Sequence, residues 1–323
     1  MSEYVFNAAS SEPAQTNRDT GDTLAATLLQ TLAELDSRLL GPARPLKLPR
    51  NPWDLPFAQD AQGHSVSLGE IVNGFYESGA TRDLAVFFDA LQWHAPAVDQ
   101  LDEPTIEAIL RLAPSAPAEG YEGIFQAVCD AGYDAMQCVV TGGTLVSIAG
   151  PRWDFDQAVV RNGTDLVEFD HASRPPHVDA IFDRQQQAAR AAVTRQNFEG
   201  IRHSAFPLLA WGRDITGQIA TFPSEYLGLA FKRLAKLDDI VRRWRASGDA
   251  EPDTNGMEFK NETALTMDNY GEERRFRSAS GAMRTYEKHV WIDRGNRIHF
   301  VIDHLSRGLE IGYIGPHLKT WTN

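Results

Sequence analysis

"NRIHFVIDHLSRGLEIGYIGPHL", residues 296–318, alternates apolar and polar side chains as a β-strand does, and several of its polar positions hold arginine and histidine. A strand turns successive side chains to opposite faces. Within Arg297–Asp303 this puts Ile298, Phe300 and Ile302 on one face, and Arg297, His299, Val301 and Asp303 on the other. A slip of one residue would exchange the two sets, so the apolar set identifies the inward face. Ile298, Phe300, Ile302 and Ile311 are therefore expected to pack inward, with Arg297 and His299 on an open, cationic face.

The neighbouring segments extend this reading. "SASG", "DRGN" and "HLSRG" are turn sequences that separate strands expected at 274–277, 284–292, 297–303 and 309–314. Two helices precede them, at 215–222 and 225–244. The second carries Leu227, Phe231, Leu234, Leu237, Ile240, Val241 and Trp244 as an apolar stripe. A helix pair followed by an antiparallel meander makes an α+β unit. Residues 257–267 give no clear pattern.

Toward the N-terminus, residues 1–21 are polar and aperiodic, the composition of a disordered tail. Leu24, Leu28, Leu32, Leu35 and Leu39 predict a helix over 22–40, stopped by Gly41-Pro42. The proline-broken stretch after it reads as extended chain pinned by Trp53 and Phe57. Further helices are expected at 68–77, 82–93, 103–112 and 121–131, the last ending at Gly132. Gly142-Gly143 and Asn162-Gly163 look like two hairpin turns within a four-stranded antiparallel meander over 136–169. Pro175-Pro176 opens a long helix to about residue 198. The resulting division is a tail, a mainly helical α+β domain at 22–204 and a second α+β domain at 205–323.

Composition narrows the function. Of the 323 residues, 42% are hydrophobic and 23% charged, an ordinary globular balance. No signal peptide or membrane-length apolar run is visible, and the two cysteines, Cys129 and Cys138, suggest free thiols in a reducing cytoplasm. The net charge of -13 is unevenly spread. Residues 1–204 carry 14 Lys and Arg against 28 Asp and Glu, or -14, whereas 274–319 carry 9 against 4, or +5. Such asymmetry points to an anionic partner for the C-terminal part. RNA, the ribosome or another nucleic-acid machine is expected, with no membrane partner. The acidic N-terminal domain could also dock on the basic sheet within the same chain.

RNA cleavage needs a base for the 2′-hydroxyl, cations for the developing phosphorane charge and an acid for the leaving oxygen. Arg297, His299 and His317 are the candidates for that chemistry, with Arg277, Lys288, His289 and Tyr313 as substrate-binding residues. The scheme needs neither metal nor cofactor. A solvated face whose arginines pair with Glu287, Asp293 and Asp303 would have the same sequence. So would a non-enzymatic module whose basic sheet docks an acidic protein. The acids and histidines of "EFDHASRPPHVDAIFD", residues 168–183, lack a ligand spacing and fit the start of a helix. No nucleophile-elbow motif supports a hydrolase triad.

The order of helix pair, linker and arginine-rich meander closing in "IGYIGPHL" resembles the RelE/ParE family of bacterial toxins. The resemblance covers about residues 206–319, with Arg297 at the family's strand arginine and His317 near its terminal basic position. It implies a small antiparallel sheet packed on two helices and, in a family of ribosome-dependent mRNA cleavers, gyrase inhibitors and inactive relatives, action on one of those targets or a scaffold that has lost it. The chain departs from the family at Pro316, in the long loop 246–269 and in its N-terminal extension.

Overall fold

In the computed structural model, residues 3–11, 17–38, 45–94, 101–254 and 256–321 are described. The chain is a mixed helix-and-sheet protein that divides into two compact units, Met1–Asp183 and Arg184–Asn323. The division lies N-terminal of the 204/205 boundary read from the sequence.

The first unit contains β1 (Tyr4–Phe6), α1 (Arg18–Arg38), β2 (Leu46–Lys47), β3 (Pro56–Gln59), β4 (Ser65–Ser67), α2 (Leu68–Phe75), α3 (Arg82–His94) and α4 (Glu103–Arg111). β5 (Ala116–Pro117), α5 (Phe125–Thr141), β6 (Thr144–Val146), β7 (Gln157–Asn162) and β8 (Asp165–Ala172) follow, and α6 (Pro175–Ala192) runs through the division. Its sheet has the order β2-β1-β6-β8-β7-β5. β2, β1, β6 and β8 run parallel, and β7 is antiparallel to β8.

Several local readings are corrected. Tyr4, Val5 and Phe6, placed in a disordered tail, form a buried strand beside β6. Trp53, expected to pin the chain, is 58% exposed, whereas Phe57 is buried. The helix end expected at Gly132 is present: at φ 49°, ψ -114° this residue is non-helical and divides α5 into two helical segments. Gly142 is the left-handed C-cap of that helix, its N–H donating to the Cys138 carbonyl. The first expected hairpin is therefore a helix end leading into a parallel strand. The hairpin at Asn162-Gly163 is present as β7 and β8. The expected helix stop at Gly41-Pro42 lies outside the described residues.

The second unit contains α7 (Phe198–Ala205), β9 (Leu209–Trp211), α8 (Ile215–Thr221), α9 (Ser224–Ser247), β10 (Lys260–Asn261) and α10 (Ala264–Tyr270). After them come β11 (Arg275–Arg277), β12 (Met283–Thr285), β13 (Lys288–Trp291), β14 (Asn296–Asp303) and β15 (Gly308–Pro316). β10-β13-β14-β15-β9 form one sheet, antiparallel except for the β15–β9 pair, and β11–β12 are a separate hairpin. Ile298, Phe300 and Ile311 share a buried core with Phe231 and Leu234, and Leu227 and Ile302 pack on its margin. The inward register is thus as the alternation predicts.

The opposite face of this sheet is covered, contrary to the open face expected. Arg297 is 4% exposed and His299 0%. Tyr313, directly across from His299, stacks on Phe276 of the β11–β12 hairpin at 4.8 Å between centroids. The C-terminal segment closes over the same side, where Arg274 donates to the Lys319 carbonyl at 2.8 Å. A bulge opposite the His299–Phe300 step leaves Gly312 as the extra residue of β15. The ring of Tyr286 lies directly against its Cα, in space that any side chain would occupy.

Candidate functional site

β13 and β14 place His289 directly across from His299, with ring centroids 5.1 Å apart. The pleat puts Trp291 and Arg297 on the same side, and Arg297 lies over the Trp291 ring at 4.3 Å. Lys260 approaches that ring at 4.7 Å. Glu262, just after β10, joins the cluster with a side chain only 5% exposed. Its Oε1 lies 3.7 Å from His289 Nδ1 and 2.9 Å from Arg274 Nη2, and the Arg274 side chain is fully buried. Burying two charges is costly unless they are paired, so Arg274 and Glu262 must enter this layer together.

The His299 tautomer follows from its partner. Nδ1 lies 3.0 Å from the Tyr286 carbonyl, which can only accept, so Nδ1 carries the proton and Nε2 presents a bare lone pair. Burial, reinforced by the neighbouring His289, pushes the His299 pKa down to about 3. His289 is also held below the ordinary histidine value, by burial first and by Arg297, against the opposing pull of Glu262. His299 Nε2, His289 Nδ1 and Glu262 Oε1 are all buried without a hydrogen-bond partner in the protein. The Arg274 contact to Glu262 is thus an ion pair without hydrogen-bond alignment.

His317 stands half-buried at the rim, its backbone N–H donating to the Gly295 carbonyl at 2.7 Å. Burial and then the positive field of Arg297 lower its pKa. Trp291 is 46% exposed, and Arg294, on the adjoining turn, is exposed as well.

The structure therefore brings together four of the residues expected from the sequence, His289, Arg297, His299 and His317, with Tyr313 against His299 at 5.7 Å. Their setting differs from the expectation. Arg297 Nη1 donates to the carbonyls of Asp293, Arg294 and Asn296, so much of its capacity goes into holding the 293–296 turn. His299 is walled off from solvent, which removes it from direct contact with a substrate. Lys288 follows the opposite pleat, across from Phe300, and donates to Asn261. Arg277 lies on the separate hairpin, paired with Asp214. Arginines do pair with acids here, Arg277 with Asp214, Arg275 with Glu272 and Arg284 with Glu310, while the expected Asp293 and Asp303 lie in the fields of Arg297 and Arg284. Glu262 and Arg274 were not among the expected site residues, because tertiary packing alone brings them to the histidines.

A second polar cluster lies in the first unit. Ser147 Oγ is 2.8 Å from His171 Nε2 and accepts from Asn7 at 2.9 Å, while His171 Nδ1 lies 2.7 Å from the Phe155 carbonyl. Both ring nitrogens of His171 are satisfied and its side chain is fully buried. The network is closed within the protein around His171.

Comparison with models of known families, with curated proteins and with solved structures finds no match. Among the described residues, no helix is long and apolar enough to cross a membrane.

Proposed function

We propose that the C-terminal unit binds single-stranded RNA across Trp291 and acts on it with His317 as the proton-exchanging group. The observation that carries this reading is an exposed Trp291 ring approached by two cations, Lys260 and Arg297, with the half-buried His317 imidazole in the field of the same arginine. An aromatic face offers stacking to any base, and nearby cations answer the phosphates. The exposed Arg294, and Lys260 in exchange for its ion pair with Glu258 at 3.1 Å, fill the phosphate role, since Arg297 is committed to the turn. An imidazole whose pKa sits below its ordinary value is neutral near physiological pH, the form in which it can accept a proton from a 2′-hydroxyl. The resemblance to the RelE/ParE toxins supports the same substrate class. His299 then belongs to the wall behind the site, and the acid–base role assigned to it from the sequence passes to His317.

Binding of a labelled single-stranded RNA to the full chain tests this, read by fluorescence anisotropy over a series of salt concentrations. Trp291→Ala should weaken binding by about 1–3 kcal/mol, the usual worth of one base–aromatic stack. His317→Ala should leave binding near wild type. Unchanged binding in a folded Trp291→Ala variant would contradict the proposed platform. Binding by wild type without any effect on the RNA would favour a non-enzymatic module.

A further inference from the structure

We propose that Glu262 Oε1, His289 Nδ1 and His299 Nε2 form a binding site for a divalent transition-metal ion of the zinc class. The inference goes beyond the RNA reading and does not depend on it. Its basis is the convergence of Glu262, His289 and His299, each offering a ligand atom within 4.8 Å of the others, together with the buried Glu262 Oε1, His289 Nδ1 and His299 Nε2, each without a hydrogen-bond partner in the protein. Buried polar atoms in folded proteins are nearly always paired, so three such atoms aimed at one point call for a common partner. Apart from the unaligned Arg274 guanidinium beside Glu262, these atoms face one another, and a cation satisfies all three at once.

The donor set selects the ion. Two imidazole nitrogens and one carboxylate suit zinc and its neighbours, whereas calcium and magnesium prefer oxygen ligands throughout. Three protein ligands of this kind are the number found in catalytic zinc centres, which keep a further position open. The surrounding shell has the features of a ligand set. His299 gives its other ring nitrogen to the Tyr286 carbonyl, which fixes the tautomer that exposes Nε2. Arg274 Nη2 lies 2.9 Å from Glu262 Oε1 without taking up a hydrogen-bond direction on it. Metal–ligand bonds of about 2.0–2.1 Å set tetrahedral neighbours roughly 3.3 Å apart. The 3.7 Å between Glu262 and His289 is already close to that spacing, and the ligand atom of His299 lies within 4.8 Å of both. The His171 cluster makes the contrast within the same chain, because there serine and a carbonyl already occupy both ring nitrogens.

Arg274 and Arg297 add positive charge nearby and reduce the affinity, so the site depends on all three donors together. The test uses the full chain, stripped with a chelator and titrated with zinc ion by calorimetry, with the bound metal counted by mass spectrometry. One equivalent should bind. His299→Ala and Glu262→Gln should each weaken binding by more than the roughly 10–100-fold typical of an outer-shell change. His304→Ala, at an exposed histidine outside the trio, should bind as wild type. Cobalt(II) in the same position should give the visible absorption of a low-coordinate nitrogen–oxygen site without a thiolate charge-transfer band. Failure to take up one equivalent, or uptake undiminished in both ligand variants, would overturn the proposal. Should His299→Ala fail to fold, the near-isosteric Glu262→Gln decides.

Discussion

His289 and His299 face each other across two paired strands, 5.1 Å between ring centroids, inside a layer that also buries Glu262 and Arg274. An antiparallel sheet with one face in water would show arginine and histidine at those positions only as surface. Here a hairpin, a helix and the C-terminal segment turn the second face into an interior of unusual polarity. A buried ion pair is weak evidence for stability, so retaining one beside two neutral imidazoles points toward function.

Phe300 anchors the other, apolar face. It is fully buried and meets Phe259 edge-on at 4.8 Å. Phe300→Ala should cost about 3–5 kcal/mol by removing ring contacts and leaving a cavity. Chemical denaturation of the full chain, followed through the C-terminal unit, measures it. A loss below about 1 kcal/mol would contradict the packing.

Gly312 should tolerate no side chain while Tyr286 stays in place. Gly312→Ala is expected to destabilise by about 1–3 kcal/mol, as overpacking does. In a Tyr286→Ala background the same change should cost much less. Equal costs in both backgrounds, read as a double-mutant cycle, would show that the ring is not the obstacle.

Asp238 on α9 is fully buried, bonded by Gln186 and Arg190 at 2.9 Å and by the Leu208 N–H at 2.8 Å. Desolvation raises its pKa in spite of these partners. Removing one side of a buried pair strands the other charge, so Arg190→Met should cost about 3–5 kcal/mol. Adding Asp238→Asn should recover part of that loss. No recovery in the double variant would mean that the arginine acts through packing alone.

His171 makes stability depend on pH. Burial first, against a bond to the Phe155 carbonyl, lowers its pKa from 6.5 to about 3 in the folded chain. The unfolded chain therefore takes up the proton first as pH falls. The contribution of the neutral, buried form is complete above about 6.5 and is lost progressively from there toward 3. In that window this group should add a slope of about 1.4 kcal/mol per pH unit. Denaturation at several pH values should give a slope shallower by about one proton in His171→Gln. Identical slopes would contradict the assignment.

How much of this was legible in the sequence differs by level. The period of "RIHFVID" identifies the inward residues, and the stripe of α9 identifies what they pack against. Periodicity states which residues share a face, though, and leaves open whether that face is covered. The cover comes from 262–286 and from residues after Pro316, whose packing depends on contacts distant in sequence. Gly142 misled for a related reason: a left-handed glycine after β-branched residues serves a hairpin turn and a helix C-cap equally well. Tyr4–Phe6 is too short to show a period, and a strand buried on both faces has none to show. Four of the candidate site residues were visible as cations and imidazoles in one meander. Glu262 and Arg274 carried no spacing signal.

The most direct test of the central claim is cleavage of a defined single-stranded RNA by the purified full chain, with the product ends identified. Attack by the 2′-hydroxyl, with His317 exchanging the proton, predicts products ending in 2′,3′-cyclic phosphate. The rate should fall by about 10²–10⁴-fold in folded His317→Ala, the usual worth of general acid–base catalysis. An intact substrate with wild-type protein, or undiminished cleavage by the His317 variant, would contradict the account.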